Sequence, residues 1–202
     1  YSGWSVSLSS DGSRVAIGDR NGSNGSGHVR IYQYNNNSWS QLGADINGEA
    51  LNDGSGYSVS LSSDGSRVAI GALGNDGNGT ASGHVRIYQY NNNSWSQLGA
   101  DIDGEALGDY SGASVSLSSD GSRVAIGAIA NDGGGNNSGH VRIYQYNNNS
   151  WSQLGADIDG EDSGDESGYS VSLSSDGSRL AIGGYLNDGN GSSSGHARIY
   201  DY

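Results

Sequence analysis

The sequence predicts an all-β fold built from four repeats, and three observations support this prediction. One fourteen-residue segment occurs four times, at residues 5–18, 58–71, 114–127 and, with Leu180 in place of Val, 170–183. Apolar and polar residues alternate within each repeat, and no segment shows the period of a helix. Turns rich in Gly and Asn separate the alternating segments. Repeats of about 56 residues with this pattern favour the four-stranded blades of a β-propeller.

The repeats divide the whole chain, residues 1–202, as one domain. The anchor residues Asp11, Asp64, Asp120 and Asp176 are 53, 56 and 56 residues apart. We place the units at residues 1–53, 54–109, 110–165 and 166–202. The block at residues 35–46 returns from Asn91 and Asn147 but not after Tyr202. The last unit is therefore predicted to lack its fourth strand, which leaves an unpaired edge.

Each unit is predicted to form four strands. In the second unit they are residues 58–62, 67–71, 84–90 and 94–98. Asp64-Gly65 between the first two indicates a tight hairpin. The third strand alternates Val85 and Ile87 with polar residues, and the fourth is centred on Trp95. The sequence leaves three outcomes open for the missing strand: a longer propeller, a small closed ring, or a strand contributed by a neighbouring molecule.

The two faces of the first hairpin differ in the size of their side chains. One face carries Val59, Leu61, Val68 and Ile70, and the other carries Ser, Ala and Gly. A branched face against a small face is what stacked sheets need in order to interdigitate. We expect each unit to bury its branched face against its neighbour, so that repetition replaces one large core.

Composition argues against several classes of protein. The formal net charge is −13, and all nine basic residues are arginine, so we expect no nucleic-acid partner. Cysteine is absent, which rules out disulfides. No apolar run approaches the 18 residues or so of a membrane span. The chain begins at Tyr1, as a processed or excised piece would.

The unit resembles the FG-GAP repeat of the integrin α-subunit propeller. Gly56 matches the Gly of the opening Phe-Gly pair, with Ser55 in place of Phe, and Gly71-Ala72-Leu73 matches Gly-Ala-Pro. Residues 83–88 match the Gly-initiated third strand. The resemblance implies a propeller and an extracellular, adhesive context. The family often has a calcium loop between the first two strands, but here residues 62–66 hold one carboxylate, too few for Ca²⁺.

A calcium site is instead predicted in the acidic loops between units. Alternating oxygen side chains near a Gly are typical of a loop that binds a hard cation. The two full copies are Asp101, Asp103, Glu105 and Asp109, and Asp157, Asp159, Glu161 and Asp165. A weaker copy consists of Asp45, Asn47, Glu49 and Asp53. The alternative is a solvated acidic turn that keeps the protein soluble.

Three further residue types recur once in most units. We expect the His residues to form a structural ladder, since four equal copies do not make one asymmetric catalytic site; they are His28, His84, His140 and His196. The hairpin Arg residues are expected to pair with the adjacent Asp or with a neighbouring unit; they are Arg14, Arg67, Arg123 and Arg179. The Trp residues of the fourth strand are expected to pack at blade edges rather than stack on sugars; they are Trp39, Trp95 and Trp151.

Asn-x-Ser/Thr sequons fall in the predicted turns, where a glycan can be accommodated. They begin at Asn21, Asn24, Asn36, Asn78, Asn92, Asn136, Asn148 and Asn190. A chain this rich in Asn, Gly and Ser also produces such triplets by chance.

These observations predict a non-enzymatic, secreted or cell-surface protein with a structural or adhesive role. Its expected partners are other copies of itself or extracellular proteins, and its expected cofactor is Ca²⁺. The alternative function is a multivalent glycan-binding propeller with equivalent sites between blades. Multivalent binding to one class of sugar on a glycan array would favour that alternative.

Overall fold

The computed structural model describes residues 2–22 and 25–202, in which there are eighteen β-strands and no helix. The strands form four antiparallel sheets that we call blades 1 to 4. Blade 1 contains β1 (Ser5–Leu8), β2 (Arg14–Asp19), β3 (His28–Asn35), β4 (Ser38–Gln41) and β5 (Ile46–Asn47). Blade 2 contains β6 (Ser58–Leu61), β7 (Arg67–Ala72), β8 (His84–Asn91), β9 (Ser94–Gln97) and β10 (Ile102–Asp103).

The last two blades differ in their number of strands. Blade 3 contains β11 (Ser111–Leu117), β12 (Arg123–Ala128), β13 (His140–Asn147), β14 (Ser150–Gln153) and β15 (Ile158–Asp159). Blade 4 contains β16 (Ser170–Leu173), β17 (Arg179–Gly184) and β18 (His196–Asp201). The all-β prediction, the four-stranded meander and the missing fourth strand of the last unit are therefore confirmed.

Each complete blade has a short fifth strand that the sequence pattern did not predict. In blade 2 the strands run in the order β6-β7-β8-β9, and β10 pairs with the start of β8. Ile102 lies opposite Val85, and Asp103 lies opposite His84. A two-residue strand is too short to show alternation, which explains why periodicity did not reveal it.

Consecutive blades join along their first strands. β1 contacts β6, β6 contacts β11, and β11 contacts β16. The amide of Leu61 donates a hydrogen bond to Ser7 Oγ at 2.9 Å, and the same bond recurs at the next two junctions. The amide of Ser10 donates to the Ser63 carbonyl at 2.8 Å, and this bond also repeats along the chain. These contacts place the four blades side by side around their first strands, as in a β-propeller.

The hydrophobic core lies between blades rather than within one. At the first junction Val59, Leu61, Val68 and Ile70 of blade 2 pack on a face of blade 1 made of Ala16, Val29, Ile31 and Ile46. Equivalent residues pack at the other two junctions. We call the face of a blade that packs on the preceding blade its front face, and the one that packs on the following blade its back face. Stacking explains how a chain with 33% hydrophobic residues buries a core.

The hairpin between the first two strands is longer than a two-residue turn. The amide of Ser62 donates to the Arg67 carbonyl, which leaves four residues in the loop. Asp64 closes the loop by accepting hydrogen bonds from Ser62 Oγ at 2.8 Å and from the Ser66 amide at 2.9 Å. The Asn92-Asn93 turn is instead the two-residue type, with positive φ at both residues.

None of the described residues lies in a helix, so none belongs to a helix long and apolar enough to cross a membrane.

Candidate functional site

The blade junctions bring together titratable side chains that are far apart in the sequence. At the first junction His84 is the first residue of β8, Glu49 lies in the loop after β5, and Asp101 precedes β10. His84 Nδ1 is 3.7 Å from Asp101 Oδ2 and 4.0 Å from Glu49 Oε2. Arg86 Nη1 lies 3.3 Å from Glu49 Oε1. One Glu from blade 1 thus meets a His, an Asp and an Arg from blade 2.

The second junction repeats this arrangement. His140 Nδ1 lies 3.8 Å from Glu105 Oε2 and 4.0 Å from Asp157 Oδ2. Arg142 Nη1 is 3.3 Å from Glu105 Oε1. Both His84 and His140 are 1% exposed, whereas the carboxylates are half-exposed. We call the sets Glu49, His84, Asp101 and Glu105, His140, Asp157 the junction clusters.

The third junction lacks part of this set. Glu161 Oε2 lies 3.4 Å from His196 Nδ1, and Glu161 Oε1 lies 3.7 Å from Arg198 Nη1. The second carboxylate that comes near is Asp165, which lies in the same loop as Glu161. Asp165 Oδ2 already accepts hydrogen bonds from Asn187 Nδ2 at 2.8 Å and from the Asp162 amide. Two hydrogen bonds thus end on one oxygen of Asp165, whereas Asp101 and Asp157 each accept one bond from a Gln on the oxygen that does not face the His.

Burial sets the protonation state of the two histidines. Desolvation lowers the pKa of His84 and of His140 below the usual 6.5, and Arg86 and Arg142 lower it further. Nearby carboxylates act in the opposite direction but do not reverse the shift. Burial also raises the pKa of Glu105 above its usual value, although Arg142 opposes this. At neutral pH the imidazoles are therefore uncharged, and each offers a nitrogen lone pair.

The predicted calcium loops are not assembled in the way their spacing suggested. In the first full copy Asp101 faces His84, and Glu105 faces His140 of the next blade. The Asp103 carboxylate lies beside Gly77, and its main-chain carbonyl accepts a hydrogen bond from Arg142. Asp109 is buried and accepts hydrogen bonds from the Ala106 amide and from Asn131. Side-chain alternation along an extended segment would place residues 101, 103 and 105 on one face. The chain instead bends and turns at residues 105–108 after β10, so the four carboxylates point to different places.

The second full copy has the same arrangement, and the weaker copy differs at its first carboxylate. In the second full copy Asp157 faces His140, Asp159 lies beside Gly133, Glu161 faces His196, and Asp165 is buried. In the weaker copy Asp45 pairs with Arg30 at 2.9 Å. The Asn47 carbonyl accepts a hydrogen bond from Arg86, and Asp53 caps the amides of Glu49 and Ala50. Each full copy thus contributes carboxylates to two junctions, and calcium binding by these loops stays a prediction.

The hairpin arginines of blades 1 to 3 and the fourth-strand tryptophans of blades 2 and 3 connect neighbouring blades. Arg67 Nη1 donates to the Gly121 carbonyl of the next blade at 3.1 Å. Arg179, in the last blade, instead pairs with Asp201 at 2.9 Å. Trp95 Nε1 donates to the Leu42 carbonyl of the preceding blade at 2.7 Å, and Trp151 makes the equivalent bond. Apart from Arg179, these side chains therefore pack in the junctions.

Two open clefts lie beside the tryptophans. The cleft between blades 1 and 2 has a volume of about 300 Å³ and is lined by Asp45, Asn47, Tyr88, Asn93 and Trp95, among others. Its counterpart between blades 2 and 3 measures about 170 Å³. Aromatic rings beside amide and carboxylate groups are the side chains with which proteins contact sugars.

The described sequon asparagines are all exposed, namely Asn21, Asn36, Asn78, Asn92, Asn136, Asn148 and Asn190. Asn24 lies outside the described residues. Asn78 differs because its Nδ2, the atom that would carry a glycan, donates to the Gly104 carbonyl at 2.8 Å. Glycosylation itself stays a prediction.

No known family model matches the chain, and no curated protein matches it in sequence. Solved structures nevertheless share its fold. Hydrazine synthase of Kuenenia stuttgartiensis aligns with 98% of the chain at a TM-score of 0.61 and 14% identity. The β-propeller domain of Myceliophteria thermophila Cps50 (Swd1) aligns with 98% at 0.58 and 11% identity. The β-propeller domain of the Trilobed protease from Pyrococcus furiosus aligns with 97% at 0.55 and 13% identity.

These likenesses establish the β-propeller fold. The chain spans 45%, 51% and 53% of those three chains, about half of each. Its four blades therefore superpose on part of a larger protein in every case. At identities of this size, what the three proteins do does not carry over to this chain.

Proposed function

We propose that this chain is a non-enzymatic structural repeat protein that acts through protein–protein contacts, with a second copy of itself as its partner. The observation that carries the proposal is that the two ends of the blade array expose the two halves of the internal junction. The front face of blade 1 has the composition of the faces that pack three times inside the molecule, and the back face of blade 4 keeps Ala181 and Ile199 but has Ala197 in place of Val and no counterpart of Ile46.

The front face of blade 1 exposes side chains that the other blades bury. Val6 and Leu8 are 66% and 61% exposed, whereas Val59 and Leu61 at the same positions of blade 2 are 9% and 7% exposed. Trp39 is also exposed, although Trp95 at its position packs on the preceding blade. Branched side chains left in water favour a partner that covers them.

The back face of blade 4 is the complement. Ile199 is 74% exposed, whereas the equivalent Ile87 of blade 2 is fully buried. Ser172 is exposed, although Ser116 at the same position accepts the hydrogen bond of the Leu173 amide. Arg179 is exposed too, although Arg123 binds the following blade. A front face docked here would therefore make apolar and polar contacts of the same kind as those at the internal junctions.

Two copies are the number that we expect to close a ring. Four blades cover about half of each of the two β-propeller domains described above. A front-to-back contact is heterologous, so it closes into a ring if the rotation fits and continues as a filament if it does not. The ring has twice the chain mass of 20.7 kDa.

Light scattering after size-exclusion chromatography tests self-association. We expect the 202-residue chain to elute at twice its mass or more. Val6→Asp with Leu8→Asp places charge on the front face, and Ile199→Asp does so on the back face, and each variant should be monomeric. Burial of two such side chains contributes about 3–6 kcal/mol, so the front-face variant should associate at least about 100-fold more weakly. A wild-type monomer at every concentration would contradict the proposal.

A mixture of the two variants gives a sharper result. Each variant keeps one intact face, so together they should form a one-to-one complex although neither associates alone. Leu107→Asp is the matched control, because Leu107 is 70% exposed but lies in a loop away from both end faces. Loss of association in this control as well would mean that added charge, not the end faces, is responsible.

The extracellular location and the relationship to FG-GAP repeats belong to the same proposal. The FG-GAP-like Gly56 has φ +86°, and an added Cβ would lie 2.8 Å from the His28 carbonyl of the preceding blade. That position thus needs the glycine on which the resemblance rests. The exposed sequon asparagines are compatible with a secreted glycoprotein that contacts extracellular proteins. The near-equality of the blades argues for a structural rather than a catalytic role.

Glycan binding is the second candidate, and the clefts beside Trp95 and Trp151 favour it. Each of these indoles uses its N–H for a bond to the preceding blade, which leaves only a ring face for a sugar. Multivalent retention of one sugar class on a glycan array, lost with Trp95→Ala, would support this function.

A further inference from the structure

His140 presents an unsatisfied polar atom inside a junction between blades. The side chain is 1% exposed, and Nδ1 has no hydrogen-bond partner among the described residues. A buried nitrogen left without a partner is destabilising, and native proteins usually satisfy such atoms with water or an ion. Nδ1 points toward Glu105 Oε2 and Asp157 Oδ2 at 3.8 and 4.0 Å. These separations are too long for hydrogen bonds.

The same separations suit a metal ion between the three atoms. An ion bound at about 2.0–2.2 Å to nitrogen and oxygen ligands in a tetrahedron holds those ligands roughly 3.4 Å apart. The three atoms of each junction cluster lie within 4.8 Å of one another. The separations of 3.7–4.0 Å between each imidazole nitrogen and its two carboxylate oxygens exceed this spacing by about 0.6 Å at most.

Other side chains orient the carboxylates toward the imidazole. Arg142 Nη1 holds Glu105 Oε1, and Gln153 Nε2 donates to Asp157 Oδ1 at 2.6 Å. Oε2 and Oδ2 are therefore the oxygens that face His140. At the first junction Arg86 and Gln97 hold Glu49 and Asp101 in the same way. Metal sites commonly use such outer partners to fix their ligands.

We infer that each of the two junction clusters binds one divalent transition-metal ion, of which Zn²⁺ is the representative. One imidazole nitrogen with two carboxylate oxygens is a ligand set for Zn²⁺ and leaves a fourth position for water. Ca²⁺ prefers six to eight oxygen ligands and is a poor match for a site with an imidazole. The ion joins blade 1 to blade 2, and blade 2 to blade 3, and is independent of association between copies.

The third junction serves as an internal comparison. Its nearby carboxylate, Asp165, is buried and already accepts two hydrogen bonds. We expect this cluster to bind at least tenfold more weakly than the two others. The predicted stoichiometry is therefore two tightly bound ions per chain.

Isothermal titration with ZnCl₂, after treatment of the protein with a chelator, tests the inference. We expect two tight sites at pH 7.5, and affinity that falls as the pH drops to 5.5, because protons compete for the ligands. Asp101→Asn combined with Asp157→Asn should abolish both sites. The matched control is Asp103→Asn with Asp159→Asn, which removes the same charge from the same loops but leaves the clusters intact and should keep two sites.

Melting curves establish that each variant is folded, and added Zn²⁺ should raise the melting temperature of the wild type and the control only. No tight zinc binding by the wild type would overturn the inference. Equal loss of zinc in both double variants would also overturn it, because acidity of the loops would then be the cause. Titration with CaCl₂ tests the predicted calcium site in the acidic loops. Calcium binding that depends on Asp103 and Asp159 would place a hard-cation site in the loops. That result would contradict a metal site centred on the junction clusters.

Discussion

Single glycines permit the blades to approach one another. An added Cβ at Gly127 would overlap the carbonyl oxygen of Gly168 in the next blade. Gly183 occupies the same position in blade 4, where the nearest atom is Ser170 Oγ of its own blade and no following blade is present. The repeat shows that glycine recurs at this position of each unit, but only the packing of the next blade explains why glycine is required there.

Gly127 and Gly183 are a matched pair of positions for substitution. Gly127→Ala should destabilise the protein by about 1–3 kcal/mol, because the backbone of blade 4 must move away. Gly183→Ala should change stability by less than about 0.5 kcal/mol. Urea denaturation followed by tryptophan fluorescence measures both values. Equal effects would mean that the overlap with the neighbouring blade does not limit this position.

The candidate site also contains contacts between single residues that the sequence did not predict. The spacing of the acidic residues along one loop predicts that Asp101, Asp103, Glu105 and Asp109 act together. The structure groups Glu105 with His140 and Asp157. The available signal was a constant offset of 35 residues between each Glu and the His of the next unit. Such an offset is uninformative until the stacking of blades is known, since no local period brings the two together.

The hairpin loop is the element that closes each blade at its inner edge. The sequence identified its Asp-Gly pair and placed the flanking strands to within one or two residues. It did not reveal that the Asp side chain closes a four-residue loop. Hydrogen bonds from the Ser13 amide and from the Ser9 and Ser13 hydroxyls lower the pKa of Asp11 to about 2. For Asp64, burial raises the pKa, but the hydrogen bonds from Ser66 and Ser62 outweigh it, and the pKa lies below 3.8.

These loops predict acid destabilisation. A carboxyl with a lower pKa in the folded than in the unfolded state stabilises the fold above the unfolded value of 3.8. That contribution is lost as the pH falls through the folded value. The melting temperature should therefore drop between pH 4 and pH 2, and Asp64→Asn with Asp120→Asn should flatten this drop while lowering the melting temperature at pH 7. Asp162→Asn, an exposed loop residue, is the control and should leave the slope unchanged.

At the scale of the whole molecule, the blades are equal in sequence but unequal in environment. Blades 2 and 3 are covered on both faces, whereas blade 1 lacks a preceding blade and blade 4 lacks a following one. Because each blade is stabilised by its neighbours, we expect local opening to concentrate at the two ends. The fold was predictable because repetition fixes it, but which faces remain uncovered depends on the number of blades present.

The backbone amides of Leu8 and Ser175 are probes of the two end faces. The amides of Leu61, Leu117 and Leu173 donate to a serine hydroxyl of the preceding blade, and Leu8 has the same position without a preceding blade. The amides of Ser10, Ser63 and Ser119 donate to a carbonyl of the following blade, and Ser175 has that position at the other end. In a front-to-back assembly, Leu8 faces Ser172 and Ser175 faces Ser10 of the adjacent copy.

Hydrogen exchange at two protein concentrations uses these amides to test the mode of assembly. In dilute protein the amides of Leu8 and Ser175 should exchange at least tenfold faster than those of Leu117 and Ser63, because they lack the bond between blades. Raising the concentration should protect both end amides together while blades 2 and 3 stay unchanged. Protection of only one end would contradict a front-to-back contact, since each such contact covers one front face and one back face at once.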